Sequence, residues 1–244
     1  MDTGRAVSGD QRLQGLLAAL TDAAHSSVFN PYTQSDPRLD LPDAAAIRLT
    51  NLAHYLAARA GAHIALIGEA AGYAGCRFTG IPFTCEAQLR EWNDPRFRTS
   101  SLRGGYDERS ARCVWRAVGG RDDVIFWNVF PWHPHQPGCP LSNRQPSGAE
   151  LRAGVVVLER FLSWKRPDHV IAIGRIAERA LRRLNVAATY VRHPSHGGQP
   201  VFRSALNCAL FATHDCQPRT GSPELQAQAS RTQKRHNYAQ EPLE

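Results

Sequence analysis

Three side chains of different chemistry close apolar runs in this chain: a carboxyl, a carboxamide and an imidazole. Glu69 follows His63-Ile-Ala-Leu-Ile-Gly68, Asn128 ends Val124-Ile-Phe-Trp-Asn128, and His193 ends Ala188-Thr-Tyr-Val-Arg-His193. A carboxylate set directly after a buried strand is costly without a task or a partner, so Glu69 could orient a water or stabilise a cation. Asparagine is depleted in strands. The Asn128 carboxamide must therefore find partners, either in neighbouring backbone or in a ligand that carries a donor beside an acceptor. His193, stiffened by Pro194, could donate to a developing oxyanion, although a lone histidine is more often structural.

These residues can act together only if the fold gathers them. The apolar, β-rich runs 63–68, 124–128, 169–174 and 188–193 read as buried strands of a parallel sheet. Helical patterns alternate with them: Asp43 to Ala60, Ser147 to Trp164, Ile176 to Leu184, and about Pro200 to Phe211. Ser147 followed three residues later by Glu150 makes a capping box. This alternation predicts an α/β chain, a three-layer α/β/α sandwich around a short, mainly four-stranded parallel sheet. In such sheets every strand points its C-terminal end at one edge, where ligands bind. Glu69 and its glycine-rich turn, Asn128, the Gly174 turn and His193-Pro194-Ser195 then converge. A uracil edge would satisfy the Asn128 amide, because N3–H donates and O4 accepts; cytosine presents the opposite pattern.

The turn Gly68-Glu-Ala-Ala-Gly-Tyr-Ala-Gly75 is neither the dinucleotide G-x-G-x-x-G nor a P-loop with its Lys-Ser/Thr ending, which demotes nucleotide cofactors; no cofactor is expected. The 244 residues carry 29 basic and 22 acidic side chains, a net charge of +7, with 42% hydrophobic residues, enough for a packed core. No run is long and apolar enough for a membrane helix or signal peptide, so a cytoplasmic, nucleoid-associated protein of bacterial type, monomeric and without a membrane partner, is expected. Only Lys165 and Lys234 are lysines, leaving 27 arginines. Between Arg90 and Arg121 eight arginines face four acids, with Trp92, Phe97, Tyr106 and Trp115 interleaved. Such a segment could track a nucleic-acid backbone and stack on bases. The six cysteines have no two-residue spacing and read as reduced, mostly buried thiols. His133, His135 and Cys139 lie in a proline-rich loop that would orient metal ligands poorly, so no metal is expected. Residues 1–212 are expected to form one catalytic domain, and 213–244 a polar, mobile tail.

The order Gly68-Glu-Ala-Ala-Gly72, Gly80-Ile-Pro-Phe-Thr84, Asn128-Val-Phe-Pro-Trp132 and His193-Pro-Ser195 resembles the motif series of the uracil-DNA glycosylase superfamily over roughly residues 40–212. The resemblance implies that Glu69 handles the attacking water, that Phe83 stacks on the flipped base, and that Asn128 reads the uracil edge. It also implies that His193 bonds uracil O2 as the glycosidic bond breaks, while Ser195 helps grip a phosphate. Gly68, Ala70, Gly72 and Tyr73 would line the base pocket. His196, Gly197, Arg98, Arg103 and Arg109 would contact DNA. Paired N-terminal cysteines of the iron–sulfur branches are missing, since the first cysteine is Cys76.

The chain departs from the common pattern at three places. Ala70 and Ala71 stand where many members have aspartate or asparagine followed by proline. Gly72 replaces the tyrosine that excludes the thymine methyl in the best-known branch, leaving the wall either open or closed by Tyr73. His196-Gly-Gly198 offers no apolar wedge after His193-Pro-Ser195. The expected activity is that of a monofunctional glycosylase acting on uracil in single- or double-stranded DNA and leaving an abasic product. The alternatives are a non-catalytic binder of uracil-containing or abasic DNA on the same fold, and a small-molecule hydrolase using the same strand-end pocket.

Overall fold

The computed structural model describes residues 8–21, 28–195 and 198–215. Four strands form a parallel sheet: β2 (Ile64–Ala70), β3 (Val124–Phe130), β5 (His169–Ile173) and β6 (Thr189–Val191), in the order β3-β2-β5-β6. Their parallel pairing sets Gly68 beside Asn128 and Ala65 beside Val170. Residues 124–130 are buried throughout, as continuous apolar runs in a parallel sheet require. A two-residue antiparallel pair, β1 (Val28–Phe29) with β4 (His133–Pro134), lies outside this sheet.

The helices flanking the sheet are α2 (Ala44–Ala58), α5 (Arg109–Val118), α6 (Gly148–Lys165) and α7 (Arg175–Arg183), with α1 (Gly9–Thr21) packed on α6. Ser147 caps α6 as the sequence predicts: its hydroxyl accepts from the Glu150 N–H, and the Glu150 carboxylate accepts from the Ser147 N–H. From β2 the chain crosses one way to β3, then back past β2 to β5 and onward to β6. The neighbours β2 and β5 therefore send their connections in opposite directions. That is a topological switch point, and a crevice opens outside the carboxyl ends of those two strands. Glu69 and Gly174 stand at those ends.

Two short helices, α3 (Cys76–Thr79) and α4 (Glu86–Trp92), follow β2 and were not legible as periodic runs. A buried charge cluster holds them. Asp40 pairs with both Arg77 and Arg48, the latter at 2.9 Å, and all three side chains are fully buried. Arg48 also donates to Ser100 Oγ and to the carbonyls of Pro31 and Gln34. The buried Glu86 carboxylate accepts from the N–H groups of Ser100 and Ser101. The Phe29 ring lies 4.1 Å from the Arg77 guanidinium. Burial lowers the Arg48 pKa to about 10. Two guanidinium groups and two carboxylates thus balance without solvent. Gly80 closes α3 at φ 74°, and a Cβ there would stand 2.3 Å from the Arg48 carbonyl oxygen, so only glycine lets α3 and α2 approach this closely.

The arginine-rich segment is used differently from the expectation. Residues 109–118 form α5, and the half-buried aromatics pack on other rings: Trp92 meets Phe97 and Trp115 edge-on, Trp115 meets Phe126, and Tyr106 stacks on Phe78 at 4.0 Å. Apolar burial outcompetes exposure of these rings for base stacking. Five of the six cysteines fall among the described residues; Cys76 and Cys85 are buried, while Cys139 and Cys208 are exposed, contrary to a mostly buried set. No described helix is long and apolar enough to cross a membrane.

Packing divides the chain after Ala209. The helix α8 (Gln199–Asp215) runs through the expected boundary at 212, and of the second unit only its last turns are described, with Thr213 Oγ1 donating to the Leu210 carbonyl at 2.7 Å. The tail expected from 213 onward lies, beyond Asp215, outside the described residues.

Removing one partner of a buried ion pair strands the other, at a cost of roughly 3–5 kcal/mol. Asp40→Ala is therefore expected to lower the unfolding free energy by about that amount in urea titrations. A loss below about 1 kcal/mol, the size of an exposed pair, would mean that water reaches these guanidinium groups.

Candidate active site

At the switch point a broad cleft of about 1150 Å³ is lined by residues 69–74, 107–110, 173–176 and 193–195, with Asn143 and Arg144 opposite. Its floor deepens into a recess of about 50 Å³ bounded by Glu69, Ala70, Gly72, Cys76, Phe83, Glu108, Ser110, Asn128 and His193. The carboxyl, phenyl, carboxamide and imidazole groups singled out above therefore share one small chamber.

Asn128 is the most informative of them. It lies on β3 with 3% of its surface exposed, and among the described residues no protein hydrogen bond ends on its carboxamide. A buried amide left open in this way awaits a ligand with a complementary donor and acceptor. The neighbouring strand makes this possible. A Cβ on Gly68 would stand 2.7 Å from Asn128 Oδ1 and 2.3 Å from Phe83 Cζ, so the bare backbone of β2 clears the space both side chains occupy. Phe83 is held with φ at 52°, a left-handed conformation rare for a bulky residue, and its ring packs edge-on against Phe126 at 5.7 Å. Such strain persists only where its surroundings over-determine it.

His193 is oriented by the residue two places on. Its Nδ1 lies 3.2 Å from the Ser195 backbone N–H and 2.9 Å from Ser195 Oγ. A backbone amide can only donate, so Nδ1 is an acceptor and the neutral ring carries its proton on Nε2. Glu69, at the end of β2, has its pKa raised by burial. The turn that follows is tethered by His133, whose Nδ1 lies 2.9 Å from the Ala71 carbonyl and Nε2 3.1 Å from that of Pro140. Burial pushes the His133 pKa down to about 4, so at neutral pH its single N–H serves one of the two carbonyls. His133 thus acts as a backbone strut; among the described residues no group of three or more His, Cys, Asp or Glu is placed to hold a metal ion.

The remaining expected residues divide. Tyr73 lines the wide cleft but not the recess, with its N–H donating to Asn143 Oδ1 at 2.9 Å. Ser195 and Arg109 line the cleft. Arg98 lies instead in a separate surface groove with Leu41 and Phe97, 3.4 Å from Asp43. Arg103 lines neither cavity and sits over the Tyr106 ring. Both were drawn from a charge run whose members are spread around the surface once α4 and α5 form. His196 and Gly197 lie outside the described residues. Sequence reasoning missed Glu108, Ser110, Asn143 and Arg175, which reach the site from loops and helix starts with no motif of their own.

Known proteins supply context for this geometry. The family model of the uracil DNA glycosylase superfamily matches residues 56–234, well over half of the chain. The crystal structure of wild-type Pedobacter heparinus SMUG2 aligns with a TM-score of 0.56 and 15% identity, covering 84% of this chain and 98% of that chain, a likeness of fold. No curated protein matches the sequence.

Because burial raises the Glu69 pKa, the folded state holds that proton more tightly than the unfolded state. Its contribution to stability is fully present below the unfolded value and is lost as pH rises through the folded one. Glu69→Gln is therefore expected to melt with the wild type near pH 4 and at a higher temperature than wild type at pH 8. Coincident melting at both pH values would mean that the carboxylate is fully hydrated.

Proposed function

The chain belongs to the uracil DNA glycosylase superfamily, and on that premise we propose that it flips uracil out of DNA and hydrolyses the N-glycosidic bond, leaving an abasic strand. The observation that carries this reading is the buried Asn128 carboxamide, unpartnered among the described residues and facing a recess walled by Phe83 and His193. In this reading the uracil ring lies against Phe83, N3–H donates to Asn128 Oδ1, and Asn128 Nδ2 donates to O4.

As the C1′–N1 bond breaks, its electron pair leaves on the base and positive charge grows on the deoxyribose. The Nε2–H of His193 donates to uracil O2, where part of the negative charge collects. A water oxygen bonds to C1′ and passes a proton to the Glu69 carboxylate, completing the hydrolysis; the departing base takes its proton from solvent. With Ala70 and Ala71 beside it, Glu69 is the carboxyl that β2 itself presents for this step. Raised by burial, it must still be ionised to accept the proton, so activity should fall as pH drops through a pKa above the ordinary carboxylate range.

Strand cutting by a covalent route commonly needs an amine to form a Schiff base. Lys165 is the single described lysine, and its Nζ donates to the Ala60 carbonyl at 2.7 Å, beyond the residues that line the cleft. The product is therefore proposed to be an intact strand with an abasic site. Arg109, Arg175 and Ser195 along the cleft would meet its phosphates.

Single-turnover assays on oligonucleotides with uracil opposite guanine, opposite adenine and unpaired are expected to release free uracil. Asn128→Ala and His193→Ala should each slow release by about 10²–10³-fold, the usual effect of losing one preset donor to a developing anion. A wild-type protein that binds these strands tightly without releasing base would instead be a binder on this fold, and one inert to DNA at low salt would not be a DNA enzyme.

A further inference from the structure

The recess contains one acidic side chain that the mechanism above leaves unused. Glu108 stands at the start of α5, and its carboxyl reaches over the turn after β2 into the space left by two glycines. A Cβ on Gly72 would lie 2.4 Å from Glu108 Oε1, and one on Gly75 would meet Oε2 closer still. Tyr73, the other candidate to close this wall, stays out in the wider cleft.

Position assigns this wall to one edge of the base. With Asn128 on N3 and O4, His193 on O2 and Phe83 against a face, the free in-plane edge is C5, beside the second lone pair of O4. We propose that Glu108 is a specificity-determining wall of the base pocket: its protonated carboxyl donates to O4 of the flipped uracil and fills the space a 5-methyl group would need. This rests on the uracil-excising reading. An ionised carboxylate there would face both O4 and the anion forming on the base, so only the protonated form suits the reaction.

The surroundings favour that form. Among the described residues no cation lies within ion-pair distance of Glu108, and the one bond to its carboxyl is from Ser110 Oγ, at 3.0 Å to Oε1. Burial and the neighbouring Asp107 raise its pKa, while the Ser110 bond opposes them. The groups around it are Glu69, Tyr73 and Cys76 from the β2 side, Cys85 against its backbone N–H, Asp107 and Arg109 beside it, and His193 across the recess. Arg112, one turn on, is committed to Glu91 and Asp107.

The test uses the full chain, single-turnover rates on uracil·G and thymine·G duplexes, and a pH series. Wild type is expected to lose uracil excision on the alkaline side as Glu108 ionises. Glu108→Gln, which keeps an N–H donor without a titrating group, should be faster than Glu108→Ala on uracil and lose that alkaline fall. Glu108→Ala should cut the uracil rate by about 10²-fold, the effect of one lost donor. It should also raise the thymine-to-uracil rate ratio by about 10-fold or more, the range for one methyl group in a pocket. Should Glu108→Ala melt early, the Gln pH profile decides alone. If wild type excises uracil and Asn128→Ala does not, yet the Glu108 variants keep the wild-type pH limb and base ratio, this inference is wrong while the function stands. An inert wild type would remove both.

Discussion

The site depends on a fully buried exchange of charge between Asp40 and two arginines. Arg77 sits in α3, directly after the turn that walls the recess, and Arg48 sits in α2, against which Gly80 closes. Water cannot screen these contacts, so each guanidinium stays bound to its carboxylate unless the whole cluster opens. Phe83, with its left-handed backbone, follows four residues beyond Thr79, the last residue of α3.

Against that frame the recess keeps its polar groups short of partners. The Asn128 amide is buried with no protein hydrogen bond among the described residues, and Glu69 loses part of its hydration. Each of these costs folding free energy that the apolar strands must offset. The same desolvation strengthens every donor aimed at a charge that develops later, because a dry site weakens dipoles less than water does.

Much of this was legible because strands and motifs are local. Continuous apolar runs mark buried parallel strands, and once these are parallel, residues as far apart as Glu69 and His193 must meet at one edge. The capping box at Ser147 and Glu150 was equally plain, being a four-residue pattern. What could not be read is what tertiary contacts decide. Trp92, Phe97 and Trp115 look suited to stacking on bases until the fold packs them edge-on against one another, half-buried. Arg98 and Arg103 shared a charge run with Arg109, but sequence proximity places no side chain on a cleft. Glu108 left no trace, because its role rests on the emptiness of Gly72 and Gly75 more than thirty residues earlier.

That emptiness also explains how two carboxyls can share one chamber without duplicating each other. Glu69 ends a strand, with burial as the single cause of its shift, and its position beside the cleft leaves a path for water. Glu108 is pressed against backbone, its one hydrogen bond comes from a hydroxyl, and a second acid adjoins it. Both carboxyls are held above the ordinary carboxylate range, Glu69 by burial alone and Glu108 by burial with Asp107 beside it, opposed by the Ser110 hydrogen bond. The difference follows from which element carries each residue: Glu69 closes a strand beside the open cleft, while Glu108 starts a helix folded over a glycine turn.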